Sequence, residues 1–157
     1  MSPSAPPPVR TCVVTGSASG IGRATAELLA SQGHRVRAID AVVANAGLAA
    51  YPSSKRALAR WVRRTAPTAE WAGAGIGLNA VAPGVVHTAM TAPLLADPAM
   101  VALIEEAVPM PYGGIAQPED VAGLIAFLAS PQCSHVCGQV VFVDGGADVV
   151  LRGDDVW

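Results

Sequence analysis

A glycine-rich stretch close to the N-terminus constrains this chain more than any other feature. Cys12-Val13-Val14 is a short apolar run, the length of a buried strand. Thr15-Gly16-Ser17-Ala18-Ser19-Gly20-Ile21-Gly22 follows, and Ile21, Ala24, Ala26, Leu28 and Leu29 then recur at helical spacing. Strand, glycine turn and helix in that order are the context a dinucleotide-binding turn requires. Glycines let the backbone bend sharply and let a pyrophosphate approach its N–H groups. The helix N-terminus adds unpaired donors and a partial positive charge. Arg35 to Asp40 reads as a second strand ending in an acid. Asp40 stands where a carboxylate would meet the adenosine ribose hydroxyls. A glycine turn can also serve only to connect two elements. The flanking strand, the helix and the distal acid favour nucleotide binding.

Composition bounds the remaining possibilities. Hydrophobic residues make up 52% of the 157 and charged residues 14%, a balance that excludes global disorder. The length suits one domain with a real core. We expect that domain over 11–150, after a flexible or polyproline lead at 1–10 and before a C-terminal tail at 151–157. A net charge of -2 gives no general attraction to nucleic acid or to an anionic membrane. Residues 1–9 lack the apolar core of a signal peptide, and no uncharged apolar run approaches membrane-spanning length. A cytoplasmic protein is expected. Three cysteines and three histidines show no metal-ligand spacing, so no metal site is expected.

Along the chain, the first helix should run from about Gly20 to Gln32, with Gly33 as its stop. Asp40 is followed at once by Ala41-Val42-Val43-Ala44-Asn45-Ala46-Gly47, another strand-like run. Consecutive parallel strands need a crossover of about a dozen residues or more. Either 35–45 is one long strand, or the join marks a deletion. Pro52 suits the first turn of a helix that Pro67 interrupts. Ile76 to Val81 reads as a strand ended by Pro83-Gly84. Further helices are expected at Pro98–Ala107 and at Val121–Ala129, the second introduced by Pro118-Glu119-Asp120. Gly138 to Asp144 is the last strand. No pattern is legible in 151–157.

The chain has one lysine, Lys55, against nine arginines. Lysine is a compact ammonium, and arginine does not substitute for it in proton chemistry. Lys55 lies four residues after Tyr51, so the two share a helix face. An ammonium beside a phenol favours phenolate, and a tyrosine so tuned can exchange a proton with a carbonyl/alcohol pair. Alone, the pair fits a solvated helix face equally well. Joined to the glycine turn, the catalytic reading is preferred. Arg56, Arg60, Arg63 and Arg64 suit a solvated face or a subunit contact better than nucleic acid.

Five motifs stand in a recognisable order: Thr15 to Gly22, Asn45-Ala46-Gly47, Tyr51-x-x-x-Lys55, Asn79-Ala80-Val81-Ala82-Pro83-Gly84 and Val143-Asp144-Gly145-Gly146. Together they resemble the short-chain dehydrogenases/reductases over nearly all of 11–147. The tail end more narrowly resembles bacterial 3α-hydroxysteroid dehydrogenase/carbonyl reductases and coniferyl-alcohol dehydrogenase-like members. The resemblance implies an α/β fold, a Rossmann-like doubly wound parallel sheet. It implies hydride transfer between a nicotinamide cofactor and a small alcohol or carbonyl; a homo-oligomer is expected because strands missing from the sheet would leave open edges and uncovered apolar faces. Tyr51 would be the acid/base and Lys55 would hold the ribose. Gly16, Ser17, Ser19, Gly20, Ile21 and Gly22 would bind the cofactor, with Asp40, Asn45, Ala46 and Gly47. Tyr51, Lys55, Pro83 and Gly84 would join them, and Val85, Val86 and Thr88 would line the carboxamide site. NAD is expected in preference to NADP.

The departures from the family pattern are specific. The family's catalytic serine lies about a dozen residues before the tyrosine, an offset that falls here on Ala38 and Ile39. The third strand, the following helix with its asparagine, and the fifth strand have no counterpart. The sheet is thus expected to be truncated and catalysis impaired, because one missing oxyanion-type donor is worth on the order of 3 kcal/mol. The alternative is a non-catalytic nucleotide-binding or assembly remnant.

Overall fold

The computed structural model describes residues 11–15, 20–39 and 50–154. β1 (Thr11–Thr15) pairs in parallel with β2 (Arg35–Ile39), with Cys12 opposite Val36 and Val14 opposite Ala38. α1 (Gly20–Ser31) makes the crossover between them. Its end follows the expected stop: Gly33 N–H donates to the Ala30 carbonyl at 3.0 Å and His34 N–H to that of Leu29 at 3.1 Å. That crossed pattern satisfies carbonyls the last turn would otherwise leave open.

α2 (Ala50–Thr65) follows the glycine-turn unit and carries Tyr51 and Lys55 in its first turns. A 3-10 turn over Ala72–Ala74 leads toward β3 (Ala80–Pro83). This strand starts later than the expected Ile76 to Val81. Ile76 N–H is held by the Trp71 carbonyl at 2.8 Å and so belongs to the turn. The Asn79 amide is also committed, donating to the Val136 carbonyl at 2.9 Å and accepting from Gln139 N–H at 3.0 Å.

α3 (Ala92–Leu95), α4 (Pro98–Ala107) and α5 (Pro118–Ala129) precede β4 (Val140–Val143), and α6 (Ala147–Arg152) comes last. α4 spans the expected residues, capped by the Asp97 carboxylate accepting from Ala99 N–H at 2.9 Å. At α5, Gln117 N–H donates to the Asp120 carboxylate at 2.7 Å, so one of the expected first-turn acids closes the helix start. α3 and α6 were not legible in the sequence pattern.

β4 pairs in parallel with β3, Ala80 opposite Val140 and Pro83 opposite Val143. The four described strands therefore form two parallel pairs, β1-β2 and β3-β4, with no described strand joining them. Helices join them instead. α1 packs against α5, and Val14 of β1, Leu29 of α1 and Ala126 of α5 form one buried cluster, flanked by Cys12, Ala26, Leu28, Val36 and Ala129. This is the parallel, helix-covered architecture of a truncated Rossmann fold. The Ala41–Asn45 run lies outside the described residues, as do the lead at 1–10 and Gly16 to Ser19. No described helix is long and apolar enough to cross a membrane.

Candidate active site

α1 begins at Gly20, whose φ of +55° suits glycine alone at little cost. A Cβ built there would stand 3.1 Å from Thr88 Cγ2. The turn after β1 and the loop after β3 therefore meet. No acid lies in the first turn of α1, so the helix itself offers its N-terminal donors no carboxylate. Arg23 is turned to Glu27 at 2.7 Å on the exposed side, and that contact raises its pKa.

The loop after β3 is held by a compact hydrogen-bond set. Thr91 Oγ1 donates to the Val86 carbonyl at 2.6 Å and accepts from Thr88 N–H at 2.9 Å. The two threonine hydroxyls are 3.3 Å apart. Val86 is buried, and its flanks are tied to Ala116 by Ala116 N–H to the Val85 carbonyl at 3.0 Å and His87 N–H to the Ala116 carbonyl at 2.8 Å. Thr91 was not singled out from the sequence. Its signal was a threonine just ahead of Ala92-Pro93, a helix-start pattern. The loop begins at Gly84, where a Cβ would lie 2.9 Å from Asp144 Cα. Pro83-Gly84 and Val143-Asp144-Gly145-Gly146 thus pack directly on each other. The Asp144 carboxylate in turn accepts from Gly146 N–H at 3.0 Å and Asp148 N–H at 2.7 Å, opening α6.

A cleft of about 1170 Å³ separates the two strand pairs. Ile21 and Gly22 of α1 and Lys55 of α2 line it together. The lysine of the tyrosine helix and the first turn of α1 thus border one cleft. Tyr51 lies in the first turn of α2, and its side chain is outside the described set. Gly16, Ser17, Ser19, Asp40, Asn45, Ala46 and Gly47 are also outside the described residues. Gly20 meets Thr88, while Pro83 and Gly84 pack on Val143, Asp144 and Met110. Asn79, in the motif before Pro83-Gly84, clamps the approach to β4. Among the described residues no three His, Cys, Asp or Glu side chains group as metal ligands.

A family model described as enoyl-(acyl carrier protein) reductase matches residues 36–148. The chain belongs to the short-chain dehydrogenase/reductase family. The chain is 43% identical over 106 residues to a 3-alpha-hydroxysteroid dehydrogenase/carbonyl reductase of Comamonas testosteroni, covering 68% of this chain and 40% of that protein. It is 49% identical over 77 residues to 3beta-hydroxysteroid dehydrogenase 1 of Eggerthella lenta, covering 49% of this chain and 29% of that one. It thus spans less than half the length of these curated relatives. Its fold is similar to a 3-alpha-hydroxysteroid dehydrogenase from Pseudomonas sp. B-0831 complexed with NADH. The TM-score is 0.76 at 25% identity, over 92% of this chain and 99% of that one.

Proposed function

We propose that this chain binds a nicotinamide dinucleotide and interconverts an alcohol and a carbonyl by hydride transfer, at a rate impaired by loss of the family's catalytic serine. The observation that carries the reading is that Lys55, Ile21 and Gly22 line one cleft. The acid-free helix start at Gly20 and its close approach to Thr88 fit a dinucleotide diphosphate. The hydroxysteroid dehydrogenases among the relatives and the NADH in the Pseudomonas structure support the same class.

In this reading Gly16, Ser17, Ser19, Gly20, Ile21 and Gly22 hold the diphosphate, and Asp40 takes the adenosine ribose and selects NAD over NADP. Asn45, Ala46 and Gly47 flank the adenosine side, while Pro83, Gly84, Val86 and Thr88 border the carboxamide. The nicotinamide ring, when bound, gives or takes the hydride. Tyr51 exchanges the proton at the substrate oxygen, and Lys55 orients the ribose and favours the phenolate. With Ala38 and Ile39 at the serine offset, no hydroxyl supplements Tyr51 at the carbonyl, so the transition state is less well stabilised. The setting we propose is a cytoplasmic homo-oligomer acting on a small molecule.

A second reading, a non-catalytic nucleotide-binding or assembly remnant, is favoured by the open cleft between the strand pairs. Titrating NADH and NADPH against tryptophan fluorescence tests the first. Saturable NADH binding, tighter than NADPH, is expected. Equal affinities would remove Asp40 from its role, and no binding of either would overturn the reading.

A further inference from the structure

The hydroxyl of Thr91 has more neighbours than it has protons. Its Oγ1 lies 2.6 Å from the Val86 carbonyl, 3.2 Å from the Thr88 carbonyl and 3.3 Å from Thr88 Oγ1, and it accepts from Thr88 N–H at 2.9 Å. A threonine hydroxyl offers one proton and two lone pairs. The shortest contact takes the proton, and that is the Val86 carbonyl. Thr88 N–H takes one lone pair. A lone pair is what Thr91 has left for the longer contact between the two hydroxyls, so the proton in that contact comes from Thr88.

The surroundings hold this arrangement in place. A Cβ built on Gly20 would lie 3.1 Å from Thr88 Cγ2 and 3.4 Å from Thr88 Cβ, so the Thr88 methyl is set against the start of α1. Threonine is stiff at χ1, and a methyl fixed on one side fixes the hydroxyl on the other. Val86 is buried, and its two neighbours in the chain are both bonded to Ala116: Ala116 N–H donates to the Val85 carbonyl at 3.0 Å and His87 N–H to the Ala116 carbonyl at 2.8 Å. The carbonyl that receives the Thr91 proton is therefore held still.

We infer that Thr91 is a specificity-determining positioning residue: it takes up the proton of Thr88, so that the Thr88 hydroxyl meets a ligand as an acceptor and selects one that carries an N–H donor. This rests on the cofactor reading above, in which Thr88 borders the nicotinamide carboxamide. A carboxamide presents a carbonyl and an amino group, and only the amino group suits an acceptor. Without the Thr91 hydroxyl, the Thr88 proton is released, and Thr88 serves a carbonyl as readily as an amino group.

NAD and its 3-acetylpyridine analogue supply the test, because the analogue keeps the carbonyl and has a methyl in place of the amino group. Both are titrated calorimetrically into the full chain, into Thr91→Val and into Thr91→Ser. The parent should bind NAD about tenfold more tightly than the analogue, the worth of roughly one hydrogen bond. Thr91→Val should bring the two ligands within about twofold, since a released Thr88 proton serves the carbonyl that both carry. Thr91→Ser should restore the preference. A loop merely loosened by the substitution would weaken both ligands alike and leave their ratio unchanged. If Thr91→Val does not fold, Thr91→Ala carries the same expectation. Equal binding of the two ligands by the parent would overturn the inference and leave the cofactor reading standing. So would a preference that survives loss of the Thr91 hydroxyl. A parent that binds neither ligand would overturn both.

Discussion

Gly20 and Thr88 touch across the top of the molecule: a Cβ on Gly20 would sit 3.1 Å from Thr88 Cγ2. The residues are 68 positions apart. Their contact brings the first turn of α1 to the loop after β3. The Thr88 methyl faces Gly20, while its hydroxyl turns toward Thr91.

Gly20→Ala should therefore fail twice over. A φ of +55° costs an L-residue roughly 1–2 kcal/mol, and the new methyl presses on Thr88. Urea unfolding should show a lower midpoint with an unchanged slope. NADH titration should show weaker binding. A variant as stable as the parent would remove the strain argument.

Thr25→Val should stabilise the isolated chain. The hydroxyl is buried without a partner among the described residues, and an unsatisfied buried polar group costs about 1–3 kcal/mol. Valine has nearly the same shape and no polar atom. A rise in thermal midpoint is expected, and a fall would mean that the hydroxyl is already satisfied.

Gly84→Ala tests the packing of two motifs. Its Cβ would lie 2.9 Å from Asp144 Cα and 3.1 Å from Met110 Sδ. The Met110 side chain can move, but the Asp144 backbone is fixed by β4 and by the opening of α6. Overpacking of this kind costs about 1–3 kcal/mol. A loss of that size in chemical unfolding is the expected outcome.

Oxidation of simple secondary or benzylic alcohols with NAD should be slow or undetectable by absorbance at the reduced-nicotinamide band. Tyr51→Phe should abolish whatever rate exists while leaving NADH affinity within about threefold, since only the proton-transfer group is lost. Turnover that survives Tyr51→Phe would remove Tyr51 from catalysis.

The chain should self-associate in light scattering. Phe127 and Phe142 are each 45% exposed, and Val149, Val150 and Leu151 are also exposed on α6. Large exposed apolar side chains of this kind favour association where they lie together. Arg152 lies over the Phe142 ring at 5.1 Å and is paired with Asp148, so Phe142 already has a cationic neighbour on one side. A monodisperse monomer with a cooperative melt would count against association.

What the residues alone determined was local. Gly33 ends α1, Pro98 and Pro118 open α4 and α5, and the acid at Asp120 closes a helix start, because caps and prolines act within a turn. The four-residue offset of Tyr51 and Lys55 was equally legible, since helical spacing is a one-dimensional fact. Tertiary structure decided what depends on distant partners. β3 begins at Ala80 and not at Ile76, because Trp71 and Val136 claim the backbone and the Asn79 amide ahead of it. Thr91 holds the loop of Thr88, a role its helix-start position does not announce, and Thr25 stays buried without a partner among the described residues. The division of the described strands into two pairs was also beyond reach of pattern. Apolar runs say that a strand wants burial, but which edge meets which is set by the helices that pack behind them, here α1 against α5.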